Sequence, residues 1–242
     1  MRGITRRNFI WTGLAFGVAS TPASAESKRP LSLYEMDLNT AAPPRVLKRP
    51  QPGTGQLPPA ESEVDYPIEA ANVDLPAEFQ PQIVSVPDIA PAGTIVVDPL
   101  QHFLYLVGSD GSARRYGVGV GREGFAWSGS AEIGMKRRWP RWVPPRSMVL
   151  RDKHARRWAN GQPGGPGNPL GARALYLHQN GRDTLYRIHG TNQPDSIGKS
   201  VSSGCIRMLN EHIAELYDQV GVGTPVVVLP SDGAGSYIQA SG

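Results

Sequence analysis

Cysteine is almost absent from this chain of 242 residues: there is one, Cys205. A single thiol excludes an intrachain disulfide and any cysteine-rich zinc module. Long apolar runs are missing as well. No uninterrupted stretch reaches the roughly 18 residues that a membrane-crossing helix needs. An excess of one charge sign is also lacking once residues 1–25 are set apart. They hold Arg2, Arg6 and Arg7 and no acid, so residues 26–242 carry 22 basic and 21 acidic side chains. That near-neutral balance argues against a nucleic-acid partner, and no phosphate-cradling GxxxxGK[ST] loop is present. No internal repeat is visible. Hydrophobic residues make up 39% of the chain, which supplies a core and excludes wholesale disorder.

The first residues carry an address. Thr5-Arg6-Arg7-Asn8-Phe9-Ile10 resembles a twin-arginine export signal. A moderately apolar stretch follows, then the small residues Ala23-Ser24-Ala25, which suit a cleavage site. The expected arrangement is a signal peptide over 1–25, a mature start at Glu26, a periplasmic or cell-envelope destination and no membrane span after the signal is removed. Residues 26–91 contain 12 of the 23 prolines. Clusters such as Pro43-Pro44 and Pro58-Pro59 deny regular hydrogen bonding, so this stretch reads as an extended linker, with enough apolar residues between Val64 and Val86 to dock in places.

Regular pattern begins near Gly93. β-branched and aromatic runs predict strands over 94–98, 102–107 and 114–120, with a turn at Ser109-Asp110-Gly111. Residues 174–178 and 184–189 flank Asn180-Gly181, a hairpin signal. Residues 225–229 supply a last strand. One helix is predicted after Asn210, with Ile213, Leu216, Tyr217 and Val220 on one face, Asn210 as its cap and Gly221 as its stop. The fold class is therefore mostly β, a sandwich or barrel with one or two short helices, over residues 92–230, followed by a tail at 231–242. Between Trp139 and Gly171 the pattern is irregular, and long ordered loops of this kind are often functional.

Cys205 lies in Ser202-Ser203-Gly204-Cys205-Ile206-Arg207-Met208, and His189 lies 16 positions earlier in Ile188-His189-Gly190-Thr191. A thiol is weakly ionised near neutrality; an imidazole that takes its proton leaves a strong nucleophile. Gly204 permits a tight turn and close approach to the sulfur, with amides around Cys205 available to an oxyanion. Two residues on, Arg207 would share a face with Cys205 in extended chain and could meet a substrate carboxylate, or else brace the loop. Ser203 reads as a turn residue within reach of the site. His178 ends the strand partnering that of His189 and is a candidate for lining the cleft, or else for packing. Tyr186 reads as core, and His102, His154 and His212 as peripheral.

His189-Gly190-Thr191 together with Ser203-Gly204-Cys205-Ile206-Arg207 resembles the L,D-transpeptidase catalytic domain of the YkuD type. The likeness extends over about residues 92–230 and takes in Gly117 to Gly121, Asn168-Pro169-Leu170-Gly171 and the closing valine-rich strand. The resemblance implies a β-sandwich-like domain and peptidoglycan chemistry. Cys205 would attack a tetrapeptide stem at the carbonyl before its terminal D-residue, His189 would act as acid and base, and the Gly190 carbonyl would orient the imidazole. An amine, typically of diaminopimelate, would resolve the thioester into a 3-3 cross-link. Water, a D-amino acid or an amine of an envelope protein could be the acceptor instead. Carbapenems acylate family members at the cysteine. The segment Ala126-Trp127-Ser128-Gly129-Ser130-Ala131 departs from the usual Thr-Pro-x-Gly-type turn and predicts a differently shaped loop.

The nearest rival is an L,D-carboxypeptidase with the same site. A wall-binding module with a structural thiol is a second. No cofactor is implied. A zinc site from His178, His189 and Cys205 fits no short ligand spacing.

Overall fold

The structure is a computed structural model that describes residues 65–86, 88–122 and 127–231. The export signal, the first part of the proline-rich stretch, Ala126 and most of the tail lie outside the described residues. The strands are β1 (Gln82–Ser85), β2 (Ile95–Asp98), β3 (Phe103–Val107), β4 (Ser112–Gly117), β5 (Val120–Gly121), β6 (Gly129–Arg138), β7 (Arg173–Gln179), β8 (Arg182–His189), β9 (Ser200–Ser202), β10 (Ile206–Arg207) and β11 (Pro225–Val228). The helices are α1 (Arg146–Arg151), α2 (Lys153–Arg157) and α3 (Asn210–Gln219).

Nine strands form one mixed sheet in the order β1-β4-β3-β2-β11-β6-β7-β8-β10, and β5 pairs with β9 separately. Alternation along β2 and β3 sends residues to two buried faces. Ile95, Val97 and Leu104 join one core, while Val96, Tyr105 and Val107 join another. The first core also takes Ile133, Leu175, Leu177 and Ile188 from the other half of the sheet, with Ile213 and Leu216 of α3. The two halves of the sheet and the helix thus share one interior, as in a sandwich. The fold is mostly β with few helices, as the sequence predicts.

The hairpin at Asn180-Gly181 has φ of 52° and 70° at its two turn residues, the left-handed pair that a tight hairpin demands. The helix falls where its periodicity places it, but its ends are made differently. Leu209, not Asn210, is the cap residue, and the Asn210 side chain is drawn away. At the other end Lys136 Nζ donates to the carbonyls of Tyr217 and Val220, both at 2.5 Å. A lysine from β6 therefore closes the helix where Gly221 was expected to.

Three further differences have physical causes. The segment read as a linker contributes a strand: β1 pairs with β4, and Val84 and Val86 are buried. Upstream, Asp65 accepts from Trp139 Nε1 at 3.0 Å, Tyr66 packs edge-on to Trp139, and the Ala71 amide donates to Glu211. Prolines between these contacts keep the segment extended without preventing side-chain burial. The expected loop at Ala126-Ala131 is in part the start of β6: Gly129, Ser130 and Ala131 pair with Val228, Val227 and Val226, and Trp127 stacks on Tyr186. Small polar residues gave no strand pattern there because their partners lie nearly 100 positions away. Finally, the irregular 139–171 region contains α1 and α2, two single-turn helices too short for a periodic signal.

A chain beginning at Ala92 is expected to unfold at a lower urea concentration than one beginning at Ala60. It loses β1 and two buried valines, each contributing about 1.5 kcal/mol or more. Coincident urea melts followed by circular dichroism would contradict this.

Candidate active site

Four elements assemble the site. β9 runs beside β5, with Ser200 opposite Val120 and Ser202 opposite Gly121. The chain then turns at Ser203-Gly204, with Gly204 at φ 123°, a conformation that favours glycine. Cys205 follows, half-exposed and free. β10 then pairs parallel to the end of β8, Ile206 with Ile188 and Arg207 with His189. The register is fixed from both sides. Met208 N donates to the His189 carbonyl at 2.9 Å, and Arg207 exchanges both backbone bonds with Gly119.

The turn before Cys205 is held by Ser202, which sequence reasoning passed over for Ser203. The buried Ser202 hydroxyl donates to the Cys205 carbonyl at 2.6 Å and accepts from the Gly204 amide at 3.1 Å. The Gly204 amide is thereby committed to the loop and is not a free donor for an oxyanion. Ser203 is half-buried.

His189 is buried, with its Nδ1 2.5 Å from the carbonyl oxygen of Gly190. A carbonyl can only accept, so Nδ1 carries the proton and Nε2 keeps its lone pair. Burial, reinforced by the Arg207 guanidinium, pushes the imidazole pKa down to about 3, against a smaller opposing pull from the Gly190 and Leu170 carbonyls. At neutral pH the ring is uncharged, with its orientation fixed by the Gly190 carbonyl.

Those carbonyls are themselves positioned. Asn168 is buried and donates to the carbonyls of Pro140, Gln162 and Pro163, while its Oδ1 accepts from Leu170 N at 2.8 Å. Asn210 Oδ1 accepts from Ala172 N at 2.9 Å and sits where a side chain at Gly190 would have to go, 2.3 Å from its Cβ position. This is the task for which Asn210 leaves the helix cap. Arg207 donates to Gln193 Oε1 at 3.0 Å and interacts electrostatically with Cys205 and His189 alike.

Of the residues singled out in the sequence, Cys205, His189, Gly190, Gly204, Ser203 and Arg207 come together. His178 does not. His189 pairs with Ala174, whereas His178 pairs with Asp183 near the hairpin turn, four residues or about 13 Å along the strand. Its ring packs where a side chain at Gly134 would stand. The antiparallel register puts the end of one strand beside the start of the other, so the end of β7 lies far from the end of β8. Among the other histidines, His212 is buried on α3, and His102 meets Ser200 Oγ at 2.9 Å beside the site loop.

Two outcomes follow for the imidazole shell. Gly190→Ala, driven into Asn210 Oδ1, is expected to displace the carbonyl on Nδ1 and cut turnover about 100-fold, the low end for a general base; unchanged turnover would remove that carbonyl from the site. The second concerns pH. Unfolded His189 binds a proton near 6.5 and the folded ring only near 3, so unfolding takes up protons and stability falls as pH drops from about 6.5. His189→Gln is expected to flatten the stability slope between pH 6.5 and 5, read by urea melts at several pH values.

Residues 92–228 match the YkuD family, the L,D-transpeptidase catalytic domain. The probable L,D-transpeptidase YbiS of Escherichia coli K12 is 35% identical over 156 residues, covering 60% of this chain and 47% of YbiS. The putative L,D-transpeptidase YkuD of Bacillus licheniformis is 51% identical over 71 residues, 29% of this chain and 40% of its own. This chain thus spans about half the length, or less, of these curated relatives. A crystal structure from Brucella melitensis, described as a probable carnitine operon oxidoreductase CaiA, is 54% identical, with a TM-score of 0.44 over 63% of this chain and 94% of that one. With the family match extending over more than half of its residues, the chain belongs to the L,D-transpeptidase catalytic domain family of the YkuD type.

Proposed function

We propose that this chain is an exported L,D-transpeptidase that acts on peptidoglycan tetrapeptide stems through a thioester on Cys205. The observation that carries the reading is the parallel pairing of β10 with β8. It pairs Arg207 with His189, which brings the cysteine-bearing turn to the end of β8, and the Gly190 carbonyl on Nδ1 supports a tautomer whose Nε2 can accept. In this reading the Cys205 thiol gives its proton to His189 Nε2, and sulfur attacks the carbonyl before the terminal D-residue. The carbon–nitrogen bond breaks as His189 returns the proton to the leaving amine. An acceptor amine then loses a proton to His189 and displaces sulfur, forming the new amide and freeing the thiol. Gly190 and Leu170 orient the imidazole through their carbonyls, and Ser202 holds the turn. Arg207 supplies a fixed cation for a stem carboxylate, with Ser203 and Gly204 bordering the same pocket of backbone.

The envelope address rests on the sequence of residues 1–25. Among the described residues no helix is long and apolar enough to cross a membrane. A mature N-terminus at Glu26, found by sequencing envelope material, is the outcome expected of export with cleavage; material starting at Met1 would remove the cleavage step.

Incubation of the mature protein with disaccharide-tetrapeptide, read by mass spectrometry, tests the chemistry. A cross-linked dimer minus one D-alanine is expected, and a tripeptide alone would assign the hydrolase instead. A carbapenem is expected to add a covalent mass that disappears in Cys205→Ser. An adduct that persists in that variant would overturn the nucleophile. His189→Ala is expected to slow acylation by roughly 100- to 10,000-fold.

A further inference from the structure

Residues 141–157, between β6 and β7, are built unlike the rest of the domain. They hold Arg141, Arg146, Arg151, Lys153, Arg156 and Arg157 against one acid, Asp152. The charge that is balanced over residues 26–242 is therefore segregated, with this arm strongly positive and the remainder negative. All six cations are exposed. The carboxylate of Asp152 is occupied in capping α2, accepting from the amides of His154 and Ala155. The ion pairs of the described residues lie elsewhere, joining Arg114 to Glu215, Arg138 and Arg173 to Asp65, and Arg187 to Asp183. The arm buries little beyond Ala155 and Pro144, and Leu150 is 73% exposed among its cations.

Two of the six cations hold the arm together. Arg141 donates to the Asn160 carbonyl, and Arg156 donates to the Val149 and Leu150 carbonyls at the end of α1. Of the other four, Arg151 lies in the field of Asp152 and Arg157 stands over the Trp158 ring at 5.5 Å, while Arg146 and Lys153 form no ion pair among the described residues. Clustered like charges in a short segment repel one another, and six cations against one carboxylate, itself engaged as a helix cap, leave the arm with an excess of positive charge for an external anion. The position of the arm narrows the choice. It leaves the sheet after Arg138 and returns at Arg173, the end at which Ala174 pairs with His189.

We propose that this arm is a docking surface for the carboxylate-bearing peptides of the wall polymer, outside the cysteine–histidine cleft and at the same end of the sheet. The proposal rests on the reading of the chain as a peptidoglycan enzyme and deepens it. The arm gathers neighbouring stems of the polymer electrostatically, raising the local concentration of stems near Cys205. Small soluble fragments with few carboxylates gain less from it than intact wall does.

Co-sedimentation of the full chain with purified sacculi tests this, using Cys205→Ser so that binding is read apart from chemistry. Changing Arg146, Arg151, Lys153 and Arg157 together to Gln, with Arg141 and Arg156 kept, is expected to weaken binding about tenfold or more. Sacculi with amidated carboxyls are expected to bind the parent equally weakly, and binding should fall steeply with salt. Lysine at the three arginine positions is expected to retain binding, which separates charge from fold. Equal binding by the folded Gln variant, or by amidated sacculi, would overturn the proposal. So would sedimentation with phosphatidylglycerol vesicles in place of sacculi, which would make lipid the partner. A failed acylation test with charge-dependent sacculus binding would remove the chemistry and leave the docking surface standing.

Discussion

Two residues of parallel pairing, Ile206 against Ile188 and Arg207 against His189, are the contact on which the site depends. Without them Cys205 and His189 belong to separate segments joined by a loop. β10 is too short to hold itself, and its stability is borrowed. Gly119 bonds it on one side and His189 on the other, while the buried Ile206 and Met208 anchor its inner face in the core. Hydrophobic burial supplies the free energy, and the backbone bonds supply the register.

Around that contact the site spends polar groups on backbone carbonyls rather than on carboxylates. Asn168 ties a proline- and glycine-rich loop into one conformation, Asn210 fixes the approach of Ala172, and Gly190 offers its oxygen to the imidazole. A carbonyl orients the ring without adding a negative charge to stabilise imidazolium. Burial and Arg207 then keep His189 uncharged at neutral pH.

The segment before residue 92 bears on the same architecture. Phe79 lies against Gly117 and Gly198, so closely that a side chain at either position would collide with it. Leu75 packs with Ile197, within the stretch from Gln193 to Arg207, and with Leu209 just beyond it. The proline-rich approach to the domain therefore backs the site loop as well as extending the sheet.

The sequence by itself determined the strands from Ile95 to Val107, the Asn180-Gly181 hairpin, the amphipathic face of α3, and the two motifs that carry Cys205 and His189. Each is encoded within a few residues, through β-branched alternation, a left-handed turn pair, a 3.6-residue period, or one rare side chain in a distinctive motif. Tertiary structure decided the rest, because those features depend on partners far along the chain. Gly129 to Ala131 are strand only beside β11, and β1 is strand only beside β4. Asn210 abandons its cap for Ala172, Lys136 closes a helix 81 positions away, and Ser202 rather than Ser203 holds the turn. His178 was removed from the site by register alone: in an antiparallel pair, moving along one strand is moving backwards along the other, so a shared hairpin does not make two histidines neighbours.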